Sequence, residues 1–196
     1  MNGILKTLYF LGVLAETAIR LPHERRRRQT RIAVDHLDVS ERTLVGLVFV
    51  GMFFIPAIYA LTPWLDRVDY RLPQKAEVRA GGVGTVILAV AVWLFWRSHV
   101  DLGHNWSPSL QLREGHTLVT KGVYHSIRHP MYASMWLWGI AQALLLQNWI
   151  SGWASLMLFL SLYLLRVSRE EQMMLEHFGR RIVRIWIERD ASFLEG

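Results

Sequence analysis

Arg128, His129, Pro130 and Tyr132 stand within five positions of one another, and Arg166, Arg169, Glu170 and Glu171 within six. The first group joins a guanidinium, an imidazole and a phenol to a proline that can open a helix. It could hold a carboxylate or phosphate by charge-assisted hydrogen bonds, with the free amides of the following helix adding positive potential. The same residue types also make up the ordinary interfacial belt of a membrane protein, and the string alone leaves both readings open. In the second group Arg166 and Glu170 have the i, i+4 spacing of a helix-surface ion pair. Adjacent carboxylates can equally accept hydrogen bonds from the amino or ribose groups of an adenosine. Only if the two groups share one site does the functional reading gain over the bland one.

Five histidines, His99, His104, His116, His125 and His129, precede or join the first group and raise the question of a metal centre. His125 and His129 would share a helical face, but Pro130 pushes His129 out of the helical region and breaks the pair. No Asp or Glu occurs between Asp101 and Glu114, or from His116 to Ile150, to complete a carboxylate-rich ligand set. A metal centre stays the minority reading, and no metal ligand is assigned.

These residues must be positioned by elements of an unusual kind. The chain has 196 residues, 52% of them hydrophobic, with nine Trp and no Cys. The absence of Cys excludes disulfide scaffolds, thiolate metal sites and cysteine nucleophiles. The apolar residues lie in long blocks at about 4–19, 44–61, 80–96, 131–146 and 149–167, each near the ~17–25 residues that cross a bilayer as a helix. The fold expected is therefore an all-α integral membrane protein with five spans. In the first block Lys6 and Glu16 are expected to reach the interface by snorkelling. That block lacks a basic leader and an A-x-A-like cleavage site, and Arg20 with Arg25 to Arg28 follows it as a stop-transfer pattern.

Seventeen of the 22 Lys and Arg fall in 20–43, 97–130 and from Arg166 onward, against Lys6, Arg67, Arg71, Lys75 and Arg79 on the other side. By the positive-inside rule the N-terminus is outside, the C-terminus cytoplasmic, and the protein sits in the cytoplasmic membrane. The net charge of +6 is then topological. The arginine run anchors the chain against anionic lipid, and no nucleic-acid partner is expected.

The segment 62–79 reads as a connector, whereas 98–130 is a long cytoplasmic loop with enough apolar residues, Trp106, Leu118, Val119, Val123 and Tyr124 among them, to be ordered. Both polar groups lie at the cytoplasmic ends of helices joined by a tight turn at Gln147-Asn148, so they should be neighbours in space. Gly81-Gly82-Val83-Gly84 reads as close helix packing.

Taken in order, these strings resemble the isoprenylcysteine carboxyl methyltransferase family. The resemblance is carried by Gly115-His116-Thr117-Leu118-Val119-Thr120-Lys121-Gly122-Val123-Tyr124, by Arg128-His129-Pro130-Met131-Tyr132, and by Glu170-Glu171 before Phe178-Gly179. Asp101-Leu102-Gly103-His104-Asn105-Trp106-Ser107 further resembles the microbial members, and the likeness runs from about Leu44 to Gly179. It implies S-adenosylmethionine as cofactor, held outside any Rossmann unit. By resemblance, His116, Thr117, Leu118 and Val119 line the cofactor, Tyr124, His129, Pro130, Met131 and Tyr132 hold its methionyl end, and Glu170 takes the adenosine end. Arg166 matches the family's substrate arginine, which would fix an acceptor carboxylate by bidentate bonding.

The activity so implied is methyl transfer to a lipophilic acceptor at the membrane, foremost carboxyl O-methylation of a prenylcysteine-like substrate. A carboxylate needs no general base. With an amine or thiol acceptor, as in phospholipid N-methylation or small-thiol S-methylation, a proton must leave, and Glu171, His104 or His129 become candidates for its acceptor. A small membrane scaffold or transport subunit is the non-enzymatic alternative. One departure stands out: after Phe178-Gly179 the chain lacks the family's Tyr-x-x-Tyr and Thr-Gly-Arg-x-x-Pro-like ending and continues from Arg180 to Gly196 instead. Shifting the reading phase over Trp186 to Gly196 allows Met-Asp-Arg-Thr-Gly-Arg, two Leu or Phe, then Pro-Arg, which points to a frameshift in the cytoplasmic tail 168–196.

Overall fold

The computed structural model describes residues 2–27, 32–35, 39–106, 111–113, 117–179 and 182–183. Its order is α1 (Asn2–Arg27), β1 (Ile32–Asp35), α2 (Val39–Phe49), a π-helical turn (Val50–Phe54), α3 (Ile55–Leu61), α4 (Gln74–Leu102), β2 (Gln111–Arg113), α5 (Val123–Ser126), α6 (Pro130–Leu146) and α7 (Trp149–Phe178). Short 3-10 turns at Asp66–Val68 and Gly103–Asn105 complete it. Among the described residues the architecture is helical apart from an antiparallel ribbon, β1 on β2, which an all-helical expectation omits.

Three helical stretches, Arg42–Leu61, Gln74–Leu102 and Trp149–Phe178, are long and apolar enough to cross a membrane. On α4 the large apolar side chains Val83, Val86, Val90 and Trp93 are exposed on one face, while Gly84, Leu88, Ala91 and Phe95 are buried on the other. Both faces are apolar, as a helix between protein and lipid requires and water would not tolerate. The uncharged α6, 17 residues long, packs against both α4 and α7 and buries Trp138, Ala141 and Leu145 almost completely.

Glycine permits the close packing. A Cβ on Gly84 would lie 2.8 Å from Leu144 Cβ on α6, and one on Gly81 would lie 2.8 Å from Leu5 on α1, whereas Gly82 faces open space. Two of the three glycines in that string thus serve helix contact. The turn after α6 is made by Gln147 in the left-handed region (φ 49°) and by Asn148, whose side chain accepts from the amides of Ile150 and Ser151 to cap α7.

A buried polar network ties the bundle together. Pro56 has no N–H for the Met52 carbonyl one turn earlier, and the π-helical turn loosens the same ladder. Tyr9 of α1 fills the gap, donating its hydroxyl to Met52 O at 2.5 Å. Gln142 of α6 lies 2.8 Å from the same hydroxyl through Oε1, and its Nε2 donates to Gly51 O and Ser151 O at 3.0 and 2.6 Å. Glu16 does not snorkel as expected, whereas the half-buried Lys6 reaches the last turn of α3. Lys6 donates to Tyr59 O at 3.2 Å and lies over the Tyr59 ring, and Glu16 is only 5% exposed and turned inward.

Candidate active site

The cytoplasmic loop expected at 98–130 is tied to the end of α4 by one carboxylate. Asp101 pairs with Arg97 at 2.7 Å and accepts from the Val123 amide at 2.9 Å, so it closes the start of α5. Gly122 makes this approach possible. Its φ is +60°, and a Cβ there would lie 2.0 Å from Asp101 Oδ2. Asn105 does the same for the preceding strand of chain, accepting from the Thr117 amide at 2.9 Å and donating to its hydroxyl at 3.1 Å. Thr117 is thereby fixed to Asn105, and Thr117, Leu118 and Val119 line a cavity.

His129 sits at the N-cap of α6 in a non-helical conformation (φ −127°, ψ 69°), with Pro130 opening the helix. The expectation that Pro130 separates His129 from the His125 face therefore holds, and His125 is exposed. One turn into α6, Tyr132 stacks on the His129 ring with centroids 5.3 Å apart. Both then reach α7: His129 Nε2 donates to Glu171 Oε1 at 3.1 Å, and the Tyr132 hydroxyl donates to Glu170 Oε2. A carboxylate can only accept, so His129 carries its proton on Nε2 in this pair. Arg166 Nε lies 3.7 Å from the same Glu170 oxygen. The two polar groups of the sequence are one cluster.

The cluster forms one end of a cavity of about 700 Å³, within the range of small-molecule sites. Thr117, Leu118, Val119, Tyr124, His129, Pro130, Met131, Tyr132, Arg166, Glu170 and Glu171 all line it, and His116 lies outside the described residues. The wall continues into apolar side chains of α2, the π-helical turn, α6 and α7, including Val48, Phe49, Met52, Met135, Phe159 and Leu162. A charged, hydrogen-bonding end and a lipid-like end share one chamber. Loss of hydration holds the Tyr124 hydroxyl well above its ordinary pKa, with the Glu170 and Asp101 carboxylates acting in the same direction and a hydrogen bond with Ser98 opposing them. Tyr124 is thus a neutral donor at any working pH. Among the described residues no group of three or more His, Asp or Glu is placed to hold a metal ion.

Sequence reasoning missed several lining residues. Glu16, Thr17 and Arg20 come from α1, whose apolar block gave no sign of facing a site. Asn105 and Trp106 lay in a string that had been singled out by resemblance, without roles. The Asp101–Gly122 contact had no signal, because the partners are far apart in sequence and joined only by the fold.

Residues 82–176, which run from within α4 through most of α7, match the family model "Isoprenylcysteine carboxyl methyltransferase (ICMT) family". The chain is 31% identical over 154 residues to "Protein-S-isoprenylcysteine O-methyltransferase B" of Arabidopsis thaliana, covering 78% of each chain. It belongs to the isoprenylcysteine carboxyl methyltransferase family. A second Arabidopsis protein, "Protein-S-isoprenylcysteine O-methyltransferase A", is 22% identical over 150 residues, 76% of each chain. The "Protein-S-isoprenylcysteine O-methyltransferase" of Dictyostelium discoideum is 36% identical over 72 residues, 35% of this chain and 29% of its own. Membership makes the protein a methyltransferase, and with three apolar helices of spanning length an integral membrane one.

Proposed function

We propose that the protein transfers a methyl group from S-adenosylmethionine to the carboxylate of a prenylcysteine-like acceptor at the cytoplasmic face of the cytoplasmic membrane. The observation that carries this reading is the joining of His129 and Tyr132 to Glu171 and Glu170 in a chamber whose lining also includes many apolar side chains of α2, α6 and α7. The named activity of the relatives, protein-S-isoprenylcysteine O-methyltransferase, supports it. So does the donor set. Thr117, Leu118 and Val119 offer a stretch of lining chain, Tyr124 a neutral hydroxyl, the N-terminus of α6 from Pro130 to Tyr132 its positive end, and Glu170 an acceptor for amino or ribose groups.

When bound, S-adenosylmethionine supplies a methyl group made electrophilic by its sulfonium. The chain's own part is to position and to dry. Arg166, on the cavity wall beside Glu170, holds the acceptor carboxylate through its planar guanidinium and aims one oxygen along the transfer line. Phe159, Leu162 and Met135 receive the lipid tail and exclude water, which leaves the carboxylate a better nucleophile. Holding both reactants in one chamber accounts for the larger part of the acceleration. The Glu171–His129 pair has no proton to take from a carboxylate and serves as a proton acceptor only for an amine or thiol acceptor.

In the membrane arrangement that accompanies this proposal, α1, α2 with α3, α4, α6 and α7 form five spans, with the N-terminus outside. Most Lys and Arg then fall on the cytoplasmic side. The decisive experiment incubates purified protein with methyl-labelled S-adenosylmethionine and S-farnesylcysteine derivatives, then treats the product with alkali. Label released as volatile methanol is the expected result. Alkali-stable label would assign amine or thiol methylation instead, and absence of cofactor binding would return the protein to a scaffold role.

A further inference from the structure

α1 serves two spaces. Val13, Glu16 and Thr17 line the chamber, whereas Leu8, Gly12, Ala15 and Ile19 lie on another face of the helix and, with α4, form a separate furrow of about 480 Å³. Its floor is the contact between the two helices. Leu88 of α4 is buried there, and a Cβ on Gly12 would lie 2.9 Å from its side chain. Above that contact Ala15 and Ala89 are too short to fill the space, and the exposed indoles of Trp93 and Trp96 wall it.

The furrow has a definite length and a charged end. Gly81 meets Leu5 and Gly12 meets Leu88, so α1 and α4 run parallel, and Ile19 and Trp96 share one end. From Leu8 to Ile19, and from Thr85 to Trp96, the length is about 16 Å at ~1.5 Å per residue. That is close to half of a hydrocarbon core of ~30 Å, or one leaflet. Towards the other end the furrow closes, where Leu5 packs on Gly81. At the open end the Arg97 guanidinium stands 5.4 Å from the centre of the Trp96 ring, and Arg20 and Arg25 follow Ile19 in the chain. Arg97 gives one N–H to Asp101, and a guanidinium has further donors in the fork that suits a phosphate. An apolar slot one leaflet deep with cations at its boundary is complementary to an anionic phospholipid. A helix of a second copy would need a face that continues through both leaflets.

Resting on the five-span arrangement proposed above, we infer that the α1–α4 furrow binds one acyl chain of an anionic phospholipid from the cytoplasmic leaflet, with the lipid phosphate at Arg97. The lipid fills the gap beside α1 and braces the helix that carries Val13, Glu16 and Thr17 to the chamber. It is distinct from the methyl acceptor, because α1 stands between furrow and chamber.

Native mass spectrometry of the purified full chain, titrated in detergent with phosphatidylglycerol or phosphatidylcholine of the same acyl chains, reads bound lipid directly. One phosphatidylglycerol per chain is expected, held at least ~10-fold more tightly than phosphatidylcholine, the factor that a charge-assisted hydrogen bond gives. Ala89→Phe, which fills the furrow, should abolish this binding, and Val86→Phe, on the exposed surface of α4 outside the furrow, should leave it intact. Arg97→Gln should keep the lipid but bring the ratio toward one. If melting curves show that Ala89→Phe does not fold, Ala15→Leu fills the same furrow from α1. Unsaturable binding, equal affinity for the two lipids, an Arg97→Gln ratio that does not fall, or retention by the furrow-filling variants would overturn the site. So would displacement of the lipid by S-farnesylcysteine, which would place it in the chamber, or a dimer mass lost in Ala89→Phe, which would make the furrow a contact between copies. No methyl donor is present, so this result stands or fails separately from the alkali-release experiment.

Discussion

Tyr132 on α6 donates its hydroxyl hydrogen bond to Glu170 on α7, and the same Glu170 oxygen stands 3.7 Å from Arg166 Nε. One carboxylate thus joins the residues assigned to the cofactor to the residue assigned to the acceptor. Tyr132→Phe and Glu170→Gln should each weaken S-adenosylmethionine binding. The double variant should lose less than the two losses combined, with a coupling of about 0.5–3 kcal/mol, as expected for side chains in one network. Dissociation constants for the four proteins check this, and strict additivity would mean that the two residues act independently.

Arg166→Lys keeps the positive charge but loses the planar fork. Its kcat/KM for a carboxylate acceptor should fall by ~10-fold or more, since charge-assisted hydrogen bonds are worth about 1.5–3 kcal/mol. The loss should appear against acceptor concentration. If instead only the cofactor's apparent affinity falls, Arg166 serves Glu170 and not the acceptor.

Gly122 and Gly103 offer a controlled pair. Both have positive φ, +60° and +54°, but a Cβ on Gly103 meets nothing within 4 Å, while one on Gly122 runs into Asp101. Gly103→Ala should cost about 1 kcal/mol of backbone strain. Gly122→Ala must also displace the Asp101 carboxylate from the Val123 amide, so its thermal stability and its cofactor binding should both fall further. Melting curves with and without S-adenosylmethionine separate the two effects.

Gln142→Met removes one of two partners of Tyr9 Oη and the donor to the Gly51 and Ser151 carbonyls while keeping the volume. In the apolar interior the stranded groups should cost roughly 1–3 kcal/mol. Unfolding in mixed detergent measures it. An unchanged midpoint would show that other groups take over the three bonds.

The coding DNA after Gly179 should, in its alternate frame, encode Met-Asp-Arg-Thr-Gly-Arg near the position of Trp186. A different string would make the tail 180–196 a true divergence. Apart from Ile182 and Val183, that tail lies outside the described residues, and Ile182 is buried against the cavity.

Much of this site could be read from the chain because its determinants are local. The long apolar blocks fall within helices, three of them long and apolar enough to span, since a stretch that must satisfy its own backbone in lipid has little choice but helix. Pro130 announces the start of α6 and Asn148 that of α7, because a missing N–H and a capping side chain act within one turn. The short turn between those helices then requires their far ends to meet, which is why His129 and Tyr132 could be expected beside Glu170 and Glu171. Other features arise between distant parts of the chain. The inward face of α1 was illegible because an apolar block looks alike on the lipid side and the protein side, and rotation about its axis depends on packing with α4 and α6. Hence Glu16 points into the chamber instead of reaching the interface. The closure of Asp101 on Gly122, the antiparallel ribbon of Ile32–Asp35 on Gln111–Arg113, and the meeting of Tyr9 with the carbonyl that Pro56 leaves open have the same origin. Each needs two segments with no sequence relation to meet, and only the assembled bundle brings them together.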